Sequence, residues 1–106
     1  MPLPRLSDIE VQREINAREG WSRKGEAIVK TFEFATFPLG IAWVARVADA
    51  AEAANHHPDL DIRYTRITAT LSTHDSGGIT ARDFDLARAM DALANGPAGE
   101  KPDLRA

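Results

Sequence analysis

The stretch Phe37-Pro-Leu-Gly-Ile-Ala-Trp-Val-Ala-Arg-Val-Ala-Asp-Ala-Ala-Glu-Ala-Ala54, followed by Asn55-His-His-Pro58, decides the fold. Pro38 sits where a first helical turn tolerates it, because its missing N–H would have no intrahelical partner there. From that start, Phe37, Ile41, Val44, Ala48, Ala51 and Ala54 recur at three- and four-residue steps. This spacing predicts a long amphipathic helix with those residues as its buried stripe. Its alanines permit close approach to a sheet. Pro58 disfavours the α conformation in the residue before it, so the helix is expected to end near His56–His57.

On the N-terminal side, Ser7-Asp-Ile-Glu10 is a capping box, with Leu6 and Val11 at the two staple positions around it. It predicts a helix from about Asp8 to Glu19, closed by Gly20 as a left-handed cap. Trp21 to Lys24 reads as a short strand and Gly25 as a turn. Ala27 to Phe34 is β-branched and aromatic, with Ile28, Phe32 and Phe34 on one alternating face, so the two segments form a hairpin. On the C-terminal side, Ile67, Ala69 and Leu71 alternate with polar residues within a strand region spanning Ile62 to Thr73. That region is one bent strand or two short ones broken near Tyr64–Thr65. Gly77-Gly78 is a turn, and Thr80-Ala-Arg-Asp83 caps a last helix with Leu86, Ala89, Met90 and Leu93 as its stripe, ending at Gly96. The order α-β-β-α-β-β-α predicts an α+β fold, a four-stranded antiparallel sheet with helices packed on one face. Residues 1–95 read as a single domain and the Pro- and Gly-rich 96–106 as a flexible tail. Such a sheet leaves a face or an edge free for self-association.

Composition narrows the chemistry. The chain has 106 residues, 13 Lys+Arg against 16 Asp+Glu, 43% apolar residues and no cysteine. That length suits one domain with a real core. Scattered rather than striped basic residues argue against nucleic-acid binding. The longest nearly uncharged run, Phe34 to Val44, is about half of a membrane span. The N-terminus lacks the apolar run of a signal peptide, so a cytoplasmic location is expected. Without cysteine there is no disulfide, no Cys-ligated zinc and no thiol catalysis. Acid–base chemistry near neutral pH therefore falls to His56, His57 and His74, helped by carboxylates.

His56 and His57 lie where the long helix gives out, and a helix end lets both rings reach one cleft. Glu52, four residues before His56, would share its helical face and could hold that imidazole. His74 follows the Ile67–Thr73 strand at its open end, where loop-borne groups often carry chemistry. The plainer readings stand beside this one. His56 and His57 could simply end a helix, His74 could be a solvated turn residue, and Asp83 is already explained as a cap. Three imidazoles would also suffice for zinc, although the His-x-x-x-His helical spacing is missing. The residues by themselves suggest a metal-free acid–base pocket.

Glu52-Ala-Ala-Asn-His56-His57-Pro58-Asp59, then Tyr64, then Leu71-Ser-Thr-His74-Asp-Ser-Gly-Gly78-Ile-Thr80-Ala-Arg-Asp83 closely resembles the pterin-4a-carbinolamine dehydratases. Gly20-Trp21 and Phe32-Glu-Phe34 match as well, so the resemblance runs from about Gly20 to Leu93. Asn55 stands where some relatives carry Asp, and Leu60 where some carry Trp. The resemblance implies dehydration of 4a-hydroxytetrahydrobiopterin to quinonoid dihydropterin and water, which recycles the tetrahydropterin. It implies no metal and no cofactor, the pterin being the substrate. It casts His56, His57 and His74 as catalytic, with His56 and His74 the acid–base pair and His57 holding the ring. Asn55, His56, His57, Pro58, Ser72, Thr73, His74 and Asp75 would bind the pterin, with Glu52 and Asp83 orienting the histidines. It also implies a homodimer or homotetramer. The alternative is a non-catalytic dehydratase-like dimerisation or assembly cofactor that binds a protein partner, against which the retained histidine set argues.

Overall fold

The structure is a computed structural model that describes residues 3–95. The expected tail, 96–106, lies outside the described residues. The elements are α1 (Asp8–Asn16), β1 (Ser22–Lys24), β2 (Ala27–Glu33), α2 (Phe37–Ala54), β3 (Asp59–Arg63), β4 (Arg66–Leu71), a 3₁₀ turn (His74–Ser76) and α3 (Ala81–Asn95). The fold class is the expected one, with three α-helices and a four-stranded antiparallel sheet. Strand order is β1-β2-β4-β3, so α2 carries the chain across from β2 to the far edge and β4 returns between them. The Ile62–Thr73 region resolves into two strands, with Tyr64 at φ 56° in the tight turn between them.

Register explains both the core and the site. Ile28 pairs with Leu71 and Phe32 with Ile67, which puts these buried residues on one face of the inner strands. The other face is polar, with Thr31 and Thr68 hydroxyls 2.8 Å apart. Asp59 pairs with Thr70, so the start of β3 and the end of β4 share one end of the sheet. The chain just before β3 is His56-His57-Pro58, and just after β4 it is Ser72-Thr73-His74. Antiparallel pairing thus brings together histidines that are 18 residues apart in sequence (74 minus 56).

The long helix corrects the expected stripe. Its buried residues are Gly40, Trp43, Val47 and Ala51, whereas Phe37 and Ile41 are 44% and 38% exposed. Ala48 and Ala54 are exposed and Val44 is half-buried. Trp43 sets the rotation. Its ring lies 4.4 Å from that of Phe32 and 5.2 Å from that of Phe34, and its indole N–H donates to the Met90 carbonyl at 3.2 Å. No alanine stripe can match the area that one buried tryptophan removes from water. Gly40 lets the helix come close, since a Cβ there would stand 3.1 Å from Ile67 Cδ1 and 3.3 Å from Phe34 Cδ2.

Both flanking helices differ in detail from expectation. The capping box forms as read, and the Ser7 backbone N–H, then its hydroxyl, hold the Glu10 carboxyl below its ordinary pKa. But α1 stops at Asn16, not Glu19. Its end tightens into i→i+3 bonds, from Ala17 N–H to Glu14 and from Arg18 N–H to Ile15. The Glu19 carbonyl then accepts from the Lys30 ammonium, and Gly20, at φ 90°, turns the chain toward β1 instead of capping the helix. In α3 the buried stripe is Phe84, Leu86, Ala87 and Met90 together with Asp83, while Ala89 and Leu93 are only half-buried. Lys30 and the Trp21 indole both bond to Asp91, at 2.7 and 3.0 Å, and so fasten α3 to the hairpin.

Two alanines less than one turn apart test the corrected face of α2. Ala51→Gln should lose about 1–3 kcal/mol by overpacking, and Ala48→Gln should stay within about 0.5 kcal/mol. Urea unfolding of both variants measures this, and equal losses would return the two residues to one face.

Candidate active site

The α2 terminus is built by Asn55. It adopts the left-handed conformation at φ 50°, with its own N–H bonded to the Glu52 carbonyl at 3.2 Å and the His56 N–H to the Ala51 carbonyl at 3.0 Å. This is the bond pattern of a left-handed helix stop, a conformation that asparagine tolerates better than most residues. It ends the helix at Ala54, ahead of the histidines, and reverses the chain so that the two rings diverge.

His56 turns inward and is 7% exposed. Its Nε2 lies 2.6 Å from Oδ1 of Asp83, which is fully buried at 0%. The other carboxylate oxygen of Asp83 accepts from the Thr73 hydroxyl and the Thr80 backbone N–H, both at 2.9 Å. Thr73 and Thr80 are joined through their hydroxyls at 2.8 Å. Asp83 therefore does cap α3, as the Thr-x-x-Asp pattern indicates, and with its second oxygen it also holds His56.

His57 turns outward. Its Nε2 is 2.6 Å from Glu52 Oε2, on side chains 54% and 77% exposed. This corrects the expectation that Glu52 would hold His56. The four-residue rule requires helix between the partners, and the left-handed Asn55 breaks it, so the residue five positions on meets the carboxylate instead.

A cleft of about 200 Å³ opens at this end of the sheet, lined by both of these histidines, Asn55, Ser72, Thr73, His74, Asp75 and Arg82. The structure thus brings together seven of the eight expected pterin-binding residues. Pro58 is not among those that line the cleft, and the Thr73 hydroxyl is turned away into the Asp83 network. His74 opens the 3₁₀ turn and is exposed, and its ring has no hydrogen-bond partner among the described residues. The 3₁₀ turn is closed by Gly77 in the left-handed conformation and by backbone bonds between Thr73 and Gly78. Arg82 also lines the cleft, and its place directly before Asp83 in the first turn of α3 is its one signal in the sequence. An adjacent, more apolar groove of about 230 Å³ between α2 and α3 shares His56 and Arg82 with the cleft.

A larger depression, about 590 Å³, lies around Arg18, Lys30 and Asp91. It contains no histidine, and its Lys30 is already bound to Asp91. Size favours this depression, but proton chemistry needs a group that titrates near neutrality, and that favours the smaller cleft. Among the described residues no group of three His, Cys, Asp or Glu side chains could hold a metal ion. Among the same residues no helix is long and apolar enough to cross a membrane.

A family model for pterin 4 alpha carbinolamine dehydratase matches residues 4–93. The chain belongs to the pterin-4a-carbinolamine dehydratase family. It is 51% identical over 89 residues to the provisional pterin-4-alpha-carbinolamine dehydratase of Roseiflexus sp. (strain RS-1), covering 84% of this chain and 96% of that protein. The provisional enzyme of Nocardia farcinica is also 51% identical over 89 residues, covering 84% and 94%. Among solved structures, a transcriptional coactivator/pterin dehydratase from Brucella melitensis superposes with a TM-score of 0.82 at 36% identity, covering 85% of this chain and 98% of that one. A pterin dehydratase-like RuBisCO assembly factor of the α-carboxysome shares the fold alone, with a TM-score of 0.60 at 23% identity and coverage of 73% and 89%.

In this dehydratase-family site, Asp83→Ala would strand the His56 ring, the Thr73 hydroxyl and the Thr80 amide without an acceptor. Each buried orphan costs about 1–3 kcal/mol, so thermal or urea unfolding should register a loss of at least about 2 kcal/mol. The exposed neighbour Asp85, changed to Ala, should alter stability by less than about 0.5 kcal/mol. Equal effects at the two positions would show that Asp83 has no special place.

Proposed function

We propose that the chain dehydrates 4a-hydroxytetrahydropterin to the quinonoid dihydropterin in the cleft formed by His56, His57 and His74. The observation that carries this reading is the presence of three histidines along one cleft, one of them bonded to a buried carboxylate, in a chain that matches the dehydratase family over residues 4–93.

The chemistry asks for little beyond proton transfer. The C4a–O bond breaks as the leaving hydroxyl takes up a proton. N5 gives up its proton and forms the C4a=N5 double bond, and water departs. One group must donate and one must accept, and imidazoles near neutrality serve either role. His56 and His74 are the acid–base pair in this reading. His56 is rigid, held through Asp83. His74 is exposed at the rim, free to exchange protons with solvent between turnovers. His57, outside the buried network and paired with Glu52, holds the pterin ring. Asn55, Ser72 and Asp75 line the same cleft: Asn55 and Asp75 offer amide and carboxylate groups to the amine and amide edge of a pterin, while Ser72, whose hydroxyl donates to the Glu26 carbonyl at 2.7 Å, offers backbone groups. The proposed location is the cytoplasm.

The same reading includes a homodimer or homotetramer. Phe37 and Ile41 are exposed on α2, and Tyr64 stacks against Phe37 with ring centroids 6.4 Å apart. Among the described residues these groups leave an exposed apolar patch, which supports self-association over this face.

His56→Ala and His74→Ala should each lower kcat by roughly 10²–10⁴-fold, the usual worth of a positioned acid or base, with unchanged circular dichroism. Stopped-flow measurement on freshly generated carbinolamine reads this directly, and wild-type turnover equal to the uncatalysed rate would overturn the enzyme reading. His57→Ala should raise KM more than it lowers kcat, and an unchanged KM would remove its assigned role. For the oligomer, sedimentation of Phe37→Glu should show a smaller species than the wild type.

A further inference from the structure

The buried network around Asp83 has a direction, and the direction decides which nitrogen of His56 does the chemistry. Backbone amides can only donate. The Arg82 amide donates to Thr80 Oγ1 at 3.2 Å, and the Thr80 amide donates to Asp83 Oδ2 at 2.9 Å. Thr80 is fully buried, and the other partner of its hydroxyl among the described residues is Thr73 Oγ1. The one hydrogen on Thr80 Oγ1 therefore points to Thr73. Thr73 Oγ1, having accepted it, sends its own hydrogen to Asp83 Oδ2. The reverse order would leave the Thr80 hydroxyl hydrogen buried with no acceptor, the costlier arrangement. Asp83 thus meets only donors at Oδ2, as suits a carboxylate, which has acceptor sites on both oxygens and no donor. Across the 2.6 Å contact at Oδ1, His56 Nε2 is then the donor.

We propose that Thr73 and Thr80 are positioning residues that hold His56 with Nε2 protonated, so that every proton His56 exchanges with substrate passes through Nδ1. Nδ1 is the ring nitrogen without a partner among the described residues, and His56 lines the cleft. When Nδ1 takes a proton, the ring becomes an imidazolium against Asp83. When Nδ1 gives it back, the neutral Nε2–H form returns. No proton travels along the threonine chain, which acts only as a fixed set of dipoles. What passes through Nδ1 rests on the dehydratase reading; the protonation pattern itself does not.

The two parts separate by experiment. Long-range ¹H–¹⁵N spectra of the wild-type protein, at a pH where His56 is neutral, should show a protonated Nε2 and an unprotonated Nδ1. A protonated Nδ1, or averaged signals, would overturn the proposal. Thr80→Val removes the hydroxyl that sets the direction at nearly constant volume. It should move the His56 nitrogen shifts toward their average and lower kcat roughly tenfold, about one buried hydrogen bond, with KM within about twofold. Thr80→Ser, which keeps the hydroxyl, should restore both. A Thr80→Val variant that matches wild type in nitrogen shifts and kcat would overturn the role of Thr80. A wild-type protein with the expected nitrogen pattern but no turnover above the uncatalysed rate would overturn the dehydratase reading and leave the protonation assignment upheld.

Discussion

One buried carboxylate holds the functional end of this molecule together. Asp83 lies at the first turn of α3, yet its partners come from the end of α2, the segment after β4 and the residue that starts its own helix. Its two oxygens therefore tie together chain segments that the sheet has already brought to one end. A buried anion without donors would be strongly destabilising. Here each oxygen has at least one donor, so the desolvation of the carboxylate is offset and its position is narrowly set. Positioning of that kind is what a proton-transfer site requires, because an acid or base displaced by about 1 Å loses much of its effect.

The sheet makes this arrangement possible before any polar contact forms. Because β4 returns between β2 and β3, the two ends of the β3–β4 hairpin lie side by side, and Asp59 opposes Thr70. A slip of one residue in the β2–β4 register would turn Ile67, Ala69 and Leu71 away from the core, so the hydrophobic pattern forbids it. The same constraint fixes the distance between His56 and Thr73, since each is only a few residues beyond a paired position. Core packing and site geometry are in this sense one specification. The apolar alternation of β4 determines where the histidines meet.

How much of this could be read from the chain depends on the range of the interaction. The capping box at Ser7–Glu10, the Thr80–Asp83 cap and the alternation of β4 are local and were legible, because each is a relation within a few residues. The α+β order followed from them. The buried face of α2 was not legible from periodicity. Alanine and aromatic residues both recur at helical steps there, and only the long-range contact of Trp43 with Phe32 and Phe34 selects the rotation. The partners of the histidines differ from helical spacing for a related reason. Helical spacing pairs Glu52 with His56, but a single left-handed residue, Asn55, shifts the partner by one. Sequence spacing does not encode that φ value, although asparagine at a helix end is the residue that permits it. Arg82 lines the cleft through the tertiary placement of α3, which no local pattern in the sequence encodes.

The two adjacent histidines show how burial, and not contact distance, assigns a role. His56 with Asp83 and His57 with Glu52 are both 2.6 Å pairs. The second is exposed on both sides, where an ion pair is worth about 0–1 kcal/mol and is screened by salt. The Glu52 side chain can leave His57 at little cost, so that ring is free to adapt to a ligand. The first pair is enclosed, and breaking it leaves His56 Nε2 and Asp83 Oδ1 buried without their partners, at a cost of about 1–3 kcal/mol or more. In the proposed site His56 would therefore keep one orientation through binding and release. A site that must both admit a flat heterocycle and present a nitrogen to it at a fixed place needs one ring of each kind. The left-handed turn at Asn55 supplies them from consecutive positions, sending one ring to solvent and the other into the Asp83 network.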